Sequence, residues 1–248
     1  MSVALGGVAC EAVPWDNQVV DWDRFDLVVI RSTWDWSSRV EEFLAWVHSL
    51  GRVVNGADVV EWNHDKRYLA ALQVVGVPVV PTRWDPDDLP GGDRWIAKPT
   101  VSAGARDTVA GDRATVLAHV DAIHRAGKRA IVQPYVESID DRGETAIVYL
   151  DGQLSHAVRK DARLGLDKRQ ERVERRTPTP DEVDVADAAL DALPFDRDEL
   201  LYARVDLVAD DRTGDPLLLE LELVEPSLFL GHGDGAAERF AAAILRRF

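Results

Sequence analysis

Two apolar segments of strand type, residues 202–208 (YARVDLV) and 217–223 (LLLELEL), flank a turn-forming stretch over 210–216 and carry charge at alternate positions. Side chains alternate faces along a strand, so Arg204 and Asp206 share one face, Glu220 and Glu222 share one face of the partner, and the apolar residues take the other. The pattern constrains this part of the chain to an antiparallel hairpin with one apolar and one charged side. If the hairpin is centred near Thr213, Asp206 lies opposite Glu220, with the two carboxylates roughly 5 Å apart across the ladder. Like charges directly opposed cost stability. A divalent cation removes that cost, and hard oxygen ligands of this kind suit Mg²⁺ bridging substrate phosphates. The alternative is a solvent-facing strand in a chain rich in acids.

The rest of the chain alternates strand and helix patterns, which argues for an α/β layer architecture. An apolar, β-branched run over 25–30 leads through Arg31–Trp36 (RSTWDW) into a helical pattern carrying Phe43, Leu44, Trp46, Val47 and Leu50. A short strand at 53–54 and a helix over 65–75 follow, and the prolines of 76–81 with the polar turn at 86–92 suggest a boundary near 80–94. Beyond it the spacing predicts a strand over 95–98, a small-residue loop over 100–105, a helix over 114–126, a strand over 130–133 and a hairpin turning at Asp151-Gly152. Residues 161–177 are charged and aperiodic, predicting a surface loop that could serve as a lid with Arg159 and Lys160 at its hinge. A helix over 180–193 and a closing helix over 235–247 complete the order. The expected units are residues 1–80, 81–160 and 161–248.

Charge limits the partners. With 44 acidic against 29 basic residues the net charge is −15, which opposes binding to nucleic acid or anionic lipid. No apolar run approaches the roughly 18 residues of a membrane span, and the start lacks a basic signal-peptide region, so a cytoplasmic protein is expected. Cys10, the only cysteine, excludes an internal disulfide and a thiolate metal cage. Lysines number only five, which makes their placement informative. Lys98 ends a strand before Pro99-Thr100-Val101-Ser102-Ala103-Gly104-Ala105, small residues that let backbone N–H groups approach a phosphate. Neither a Walker loop nor a GxGxxG occurs. Lys66, in a helix start, is unspecific by itself.

The order of these features resembles the ATP-grasp superfamily, most closely the carboxylate-amine ligases that include D-alanine-D-alanine ligase and glutathione synthetase. The resemblance covers about residues 60–235 and rests on the DKxxL-like start at Asp65-Lys66, the strand-end Lys98 with its loop, Gln133-Pro134-Tyr135-Val136, and the RVD…ExE pair. It implies an ATP-grasp fold and an enzyme that uses Mg-ATP to activate a carboxylate as an acyl phosphate for an amine-type nucleophile, releasing ADP and phosphate. By the same resemblance Lys66 and Lys98 hold the ATP phosphates under a loop of Ser102, Ala103, Gly104 and Ala105, and residues 133–136 read the adenine edge. Glu144, or else Glu137, takes the ribose hydroxyls. Asp206, Glu220 and Glu222 ligate two Mg²⁺ ions, Arg204 and Arg159 face the transferred phosphate or the acyl intermediate, and Lys160 belongs to the same catalytic set. Glu222 occupies a position where relatives often carry asparagine.

Arg31–Trp36, Trp62-Asn63 and Glu225–Leu230 resemble the narrower branch that includes the cyclo-ligase forming D-cycloserine from O-ureido-D-serine. That resemblance places Arg31, Thr33, Trp34, Asp35 and Ser227 in the substrate cleft. Relatives carry a strand and helix ahead of Trp15-Asp16, so a shortened N-terminal domain is expected, either truncated or covered by a partner subunit. A homodimer is compatible with an α/β enzyme of this size. Two other readings stay open: a non-catalytic ATP-binding protein, and a small-molecule kinase using the same hairpin.

Overall fold

A computed structural model describes residues 8–86, 89, 91–161 and 172–248. The N-terminal part pairs β1 (Val28–Val29) in parallel with β2 (Val53–Val54), separated by α1 (Val40–Ser49). Trp15, Ile30, Trp36, Phe43, Val47 and Val60 form its core. Two short helices follow, α2 (Ala57–Asn63) and α3 (Tyr68–Val74); α2 and the loop after it carry Asn63 and Lys66.

A four-stranded antiparallel sheet comes next, built from β3 (Arg83–Trp84), β4 (Trp95–Pro99), β5 (Val109–Gly111) and β6 (Ala130–Pro134) in the order β3-β6-β4-β5. Helix α4 (Arg113–Arg125) covers it, burying Val116, Val120 and Ile123 against Trp95, Ala97 and Val132. Asp112 starts α4 by accepting the Thr115 N–H at 2.9 Å, satisfying one of the donors a helix start leaves open. Proline has no N–H, so the ladder of β6 ends at Pro134, where the chain crosses to α5 (Ser138–Arg142).

The largest layer is a five-stranded antiparallel sheet of β7 (Glu144–Leu150), β8 (Gln153–Lys160), β9 (Val173–Arg176), β10 (Tyr202–Ala209) and β11 (Pro216–Glu222), ordered β11-β10-β7-β8-β9. Asp151 and Gly152, at φ +53° and +71°, make the tight β7–β8 turn that the sequence predicts. One face of the sheet packs Ile147, Tyr149, Val205, Leu207, Leu218 and Leu221 against α3 and α6 (Pro180–Asp191). Each large aliphatic buried there contributes about 1.5–3 kcal/mol. Thr179 and Glu182 close the start of α6 as a reciprocal capping box, with Pro180 in its first turn. On the other face, Val148, Leu150 and Tyr202 meet Phe240, Ala243 and Ile244 of α7 (Ala236–Leu245).

Of the expected loop over 161–177, residues 162–171 lie outside the described residues, and 173–176 form strand β9 paired with β8. The charged sequence VERR hides that strand, because an edge strand with a half-exposed face needs no apolar alternation. The expected boundary at 160/161 falls inside the sheet, between β8 and β9. Among the described residues no helix is long and apolar enough to cross a membrane.

Candidate active site

An open cleft lies between the two larger sheets. Its floor is the charged side of the β10–β11 hairpin. The register pairs Asp206 with Glu220 and Arg204 with Glu222, as the alternation predicts. Between Asp206 and Leu207 the register shifts, leaving Leu219 as an extra residue. That bulge turns Leu219 into the cleft beside Glu220, which strict alternation does not foresee.

Four cationic side chains, Lys66, Lys98, Lys160 and Arg204, and four carboxylates, Glu144, Asp206, Glu220 and Glu222, line the cleft. Arg204 grips Asp206 through Nε to Oδ1 and Nη2 to Oδ2, both at 2.8 Å, and also donates to Glu222 Oε1 and, at 3.2 Å, to the Ser227 carbonyl. Lys160 Nζ sits 2.8 Å from both Asp206 Oδ2 and Glu144 Oε2. Lys66 Nζ lies 3.1 Å from Glu220 Oε1 and donates to the Ser102 carbonyl at 2.6 Å. Among the described residues the Lys98 ammonium has no hydrogen bond or ion pair, and burial lowers its pKa.

Burial alone would raise Asp206, yet Arg204 and Lys160 outweigh it and hold the carboxyl well below the ordinary range. Glu220 is lowered likewise, its burial outweighed by Lys66 and Lys98. Glu222 goes the other way: burial, with Glu220 and Asp206 close by, pushes it up to about 7 despite Arg204. Glu222 is thus the carboxylate that the surrounding cations compensate least, and a divalent cation beside it would relieve that. No group of three metal-donor side chains among the described residues closes on one point. Mg²⁺ held on a nucleotide needs no such cage, because one or two carboxylates and the phosphates supply its oxygens. In donor chemistry Asp206, Glu220 and Glu222 fit it.

The phosphate-loop residues take their position from short contacts. Lys66 N donates to Thr100 O at 2.9 Å, Thr100 Oγ1 to Asp65 Oδ2 at 3.2 Å, and Ser102 Oγ to Pro99 O at 3.2 Å. Ser102, Gly104, Gln133, Pro134, Tyr135 and Val136 line the cleft; Ala103 faces a second, smaller cavity behind Glu220 and Glu222. Ile96, Thr108, Ile139, Val208 and Leu219 also line the cleft and escaped the sequence reading. Ile96 was findable, since it shares a strand face with Lys98.

Other expected residues are placed differently. Arg159 turns away from the cleft and donates to Arg142 O at 2.6 Å and Asp141 O at 3.1 Å, at the end of α5. Neighbours on a strand point to opposite faces, so Lys160 in the cleft excludes Arg159 from it. Lys160 is buried in β8, paired in register with Glu144. Gly143, at φ +69°, permits that approach, because a Cβ there would stand 2.3 Å from Lys160 O. Glu137 is exposed outside the cleft, and its N–H donates to Asp211 at 2.9 Å. None of Arg31, Thr33, Trp34, Asp35 or Ser227 lines the cleft itself. Arg31 stacks over Tyr202 at 5.0 Å and donates to Pro226 O; among the described residues Arg31 Nη1 and Thr33 Oγ1 are buried without a hydrogen-bond partner. Trp34 is about half exposed, and Asp35 accepts the Trp15 indole N–H at 2.9 Å. Ser227 meets the cleft only through its carbonyl on Arg204.

Two antiparallel sheets facing across a charged cleft give the chain an ATP-grasp architecture, and comparison with known proteins agrees. The fold matches the ATP-grasp ligase PsnB bound to its minimal precursor (TM-score 0.59, 21% identity, 89% of this chain and 78% of that one). It also matches D-alanine–D-alanine ligase of Bacillus anthracis complexed with ATP (TM-score 0.62, 13% identity, 86% and 81%). A family model described as the N-terminal domain of the D-cycloserine synthetase DcsG matches residues 3–55. The cycloserine biosynthesis protein DcsG of Streptomyces lavendulae is 37% identical over 276 residues, spanning 97% of this chain and 89% of that protein. The crystal structure of D-cycloserine synthetase DcsG superposes with a TM-score of 0.84 at 35% identity, covering 97% and 90%. The chain belongs to the DcsG family of ATP-grasp ligases.

Proposed function

We propose that the protein activates the carboxylate of an amino-acid derivative with Mg-ATP and closes it onto a nitrogen nucleophile, releasing ADP and phosphate. The observation that carries this reading is the convergence of Lys66, Lys98, Lys160 and Arg204 on the Asp206–Glu220–Glu222 hairpin inside one cleft. Lys66 and Lys98 hold the phosphates from the side of the small sheet. The backbone at Gln133–Val136 receives the base, and Ile96, Val208 and Leu219 give it apolar walls. Glu144 takes the ribose hydroxyls. Asp206, Glu220 and Glu222 hold two Mg²⁺ ions, which when bound neutralise charge gathering on the phosphoryl oxygens. Arg204 spans Asp206 and the segment after Glu222, so its guanidinium is placed to stabilise the acyl phosphate and the tetrahedral oxyanion that follows.

Likeness to D-cycloserine synthetase over nearly the whole chain supports a ring closure, with an O-ureido-serine type of substrate whose own nitrogen attacks the acyl phosphate. Substrate-dependent ADP release, with mass spectrometry of the product, tests the proposal. A ring formed with loss of water, with the ureido carbonyl either kept or subsequently shed by hydrolysis, supports it; a stable phosphorylated product identifies a kinase, and no turnover with bound ATP a non-catalytic binder.

A further inference from the structure

Strand β11 is an edge of the five-stranded sheet, so one row of its backbone groups has no strand to pair with. At Leu218 other backbone covers the row: Leu218 N donates to Pro78 O at 2.7 Å and Val80 N to Leu218 O at 3.0 Å. Further along, where the strand carries Glu220 and Glu222, side chains take over. Leu221 N donates to the Tyr68 hydroxyl at 3.0 Å, and Asn63 Nδ2 donates to Leu221 O at 2.9 Å. Leu223 N donates to Asn63 Oδ1 at 2.8 Å, and Asn55 Nδ2 donates to Leu223 O at 2.7 Å. Asn63 therefore bonds both residues that bracket Glu222, as a neighbouring strand would. Asn63 and Tyr68 are buried and flank Lys66, whose ammonium meets Glu220 at 3.1 Å. Segment 63–68 thus grips the backbone at 221 and 223 and the carboxylate at 220.

We propose that Asn63 and Tyr68 are positioning residues for the metal centre, fixing the backbone from which Glu220 and Glu222 project. The inference rests on the reading of those two carboxylates as metal ligands. Mg²⁺ demands near-octahedral oxygens at about 2.0–2.1 Å, so a loosened strand loses affinity although every ligand remains. Asn55 is a different case: it also bonds Leu201 N and Tyr202 O, and so serves the fold of the whole sheet end.

Mn²⁺ binding to the full chain with a non-hydrolysable ATP analogue, read by electron paramagnetic resonance, tests the proposal. Asn63→Ala is expected to weaken binding about tenfold or more, the scale found for groups that orient metal ligands. Tyr68→Phe, which keeps the ring and removes only the hydroxyl, weakens it by a smaller factor. Asn63→Ala accelerates amide exchange at Leu223 and Tyr68→Phe at Leu221, the N–H groups each side chain holds. Ile244→Ala, in a core cluster that contains no residue of β11, lowers the melting temperature and leaves Mn²⁺ affinity unchanged. Wild-type affinity in both clamp variants, or an equal loss in Ile244→Ala, overturns the inference. If Asn63→Ala does not fold, Tyr68→Phe decides alone: faster exchange at Leu221 with unaltered affinity refutes it. Absence of Mn²⁺ binding in wild type refutes the metal reading itself, a separately recognisable failure.

Discussion

Replacing Lys160 with methionine removes one charge from the centre of the buried network while keeping an unbranched chain of similar length. The Lys160 side chain is 8% exposed and lies 2.8 Å from carboxylates that are 14% and 3% exposed, so solvent screens the group little. Asp206 keeps Arg204, whereas no other ion pair holds Glu144 among the described residues. Breaking a buried pair on one side costs about 3–5 kcal/mol, because the remaining charge is left uncompensated. For a chain of this size that is roughly 6–20 °C in melting temperature. The pH dependence carries the sign. Asp206 has a folded pKa below its unfolded one, so the stability it contributes is present above the unfolded value of about 3.9 and is lost as pH falls below it. Lys160 has a raised pKa, so its contribution is present below about 10.4 and is lost as pH rises through the folded value. The deficit of Lys160→Met should therefore be full at pH 7 and shrink only as pH falls below about 3.9, where Asp206 ceases to contribute. Urea denaturation at pH 7 and at about pH 3 measures it. A loss under about 1 kcal/mol, the range of an exposed pair, or an equal loss at both pH values would refute the reasoning.

Glu220→Ala should abolish the stabilisation by Mg-ATP seen in wild type, which at about 100 times Kd amounts to roughly 2.7 kcal/mol; a thermal shift with and without Mg²⁺ reads it. Lys98→Ala should raise the KM for ATP about tenfold or more while leaving the melting temperature of the ligand-free protein unchanged or higher, since it removes a buried, unpaired cation. Gly143→Ala should cost about 2 kcal/mol or more, because its Cβ meets Lys160 O and the backbone is left-handed there; calorimetry checks it. Burial lowers the His156 pKa below its ordinary value, so stability should fall as pH drops below about 6.5, and His156→Gln should flatten that slope in denaturation at pH 5 to 7.

What the sequence made legible was whatever alternation alone controls. Arg204, Asp206, Glu220 and Glu222 were placed on one side of one hairpin because a two-residue period allows nothing else, and the turn Asp151-Gly152 announces itself. Interactions set by tertiary neighbours were not legible. Asn63 reads only as part of the Trp62-Asn63 pair and Tyr68 as one residue of the helix expected over 65–75, and only the fold brings them to the edge at Leu221. Leu219 faces the cleft because of a bulge that no residue type signals.

Arg159 and Lys160 show how one physical constraint, applied earlier, separates neighbours that a family pattern groups together. Both were expected at the site, Arg159 facing the phosphate and Lys160 in the catalytic set, yet consecutive residues of a strand without a bulge point to opposite faces. Glu144 decides which one does. Paired in register with Lys160, it places the lysine on the side of the β10 acids and consigns Arg159 to the carbonyls at the end of α5. The same parity explains Thr145, which points away from the cleft and donates to Glu182 at 2.8 Å. A strand carried through to Lys160 after the Asp151-Gly152 turn would have made the argument from the sequence alone. The charged residues at its end obscured it, because their partners are other charges and not an apolar core.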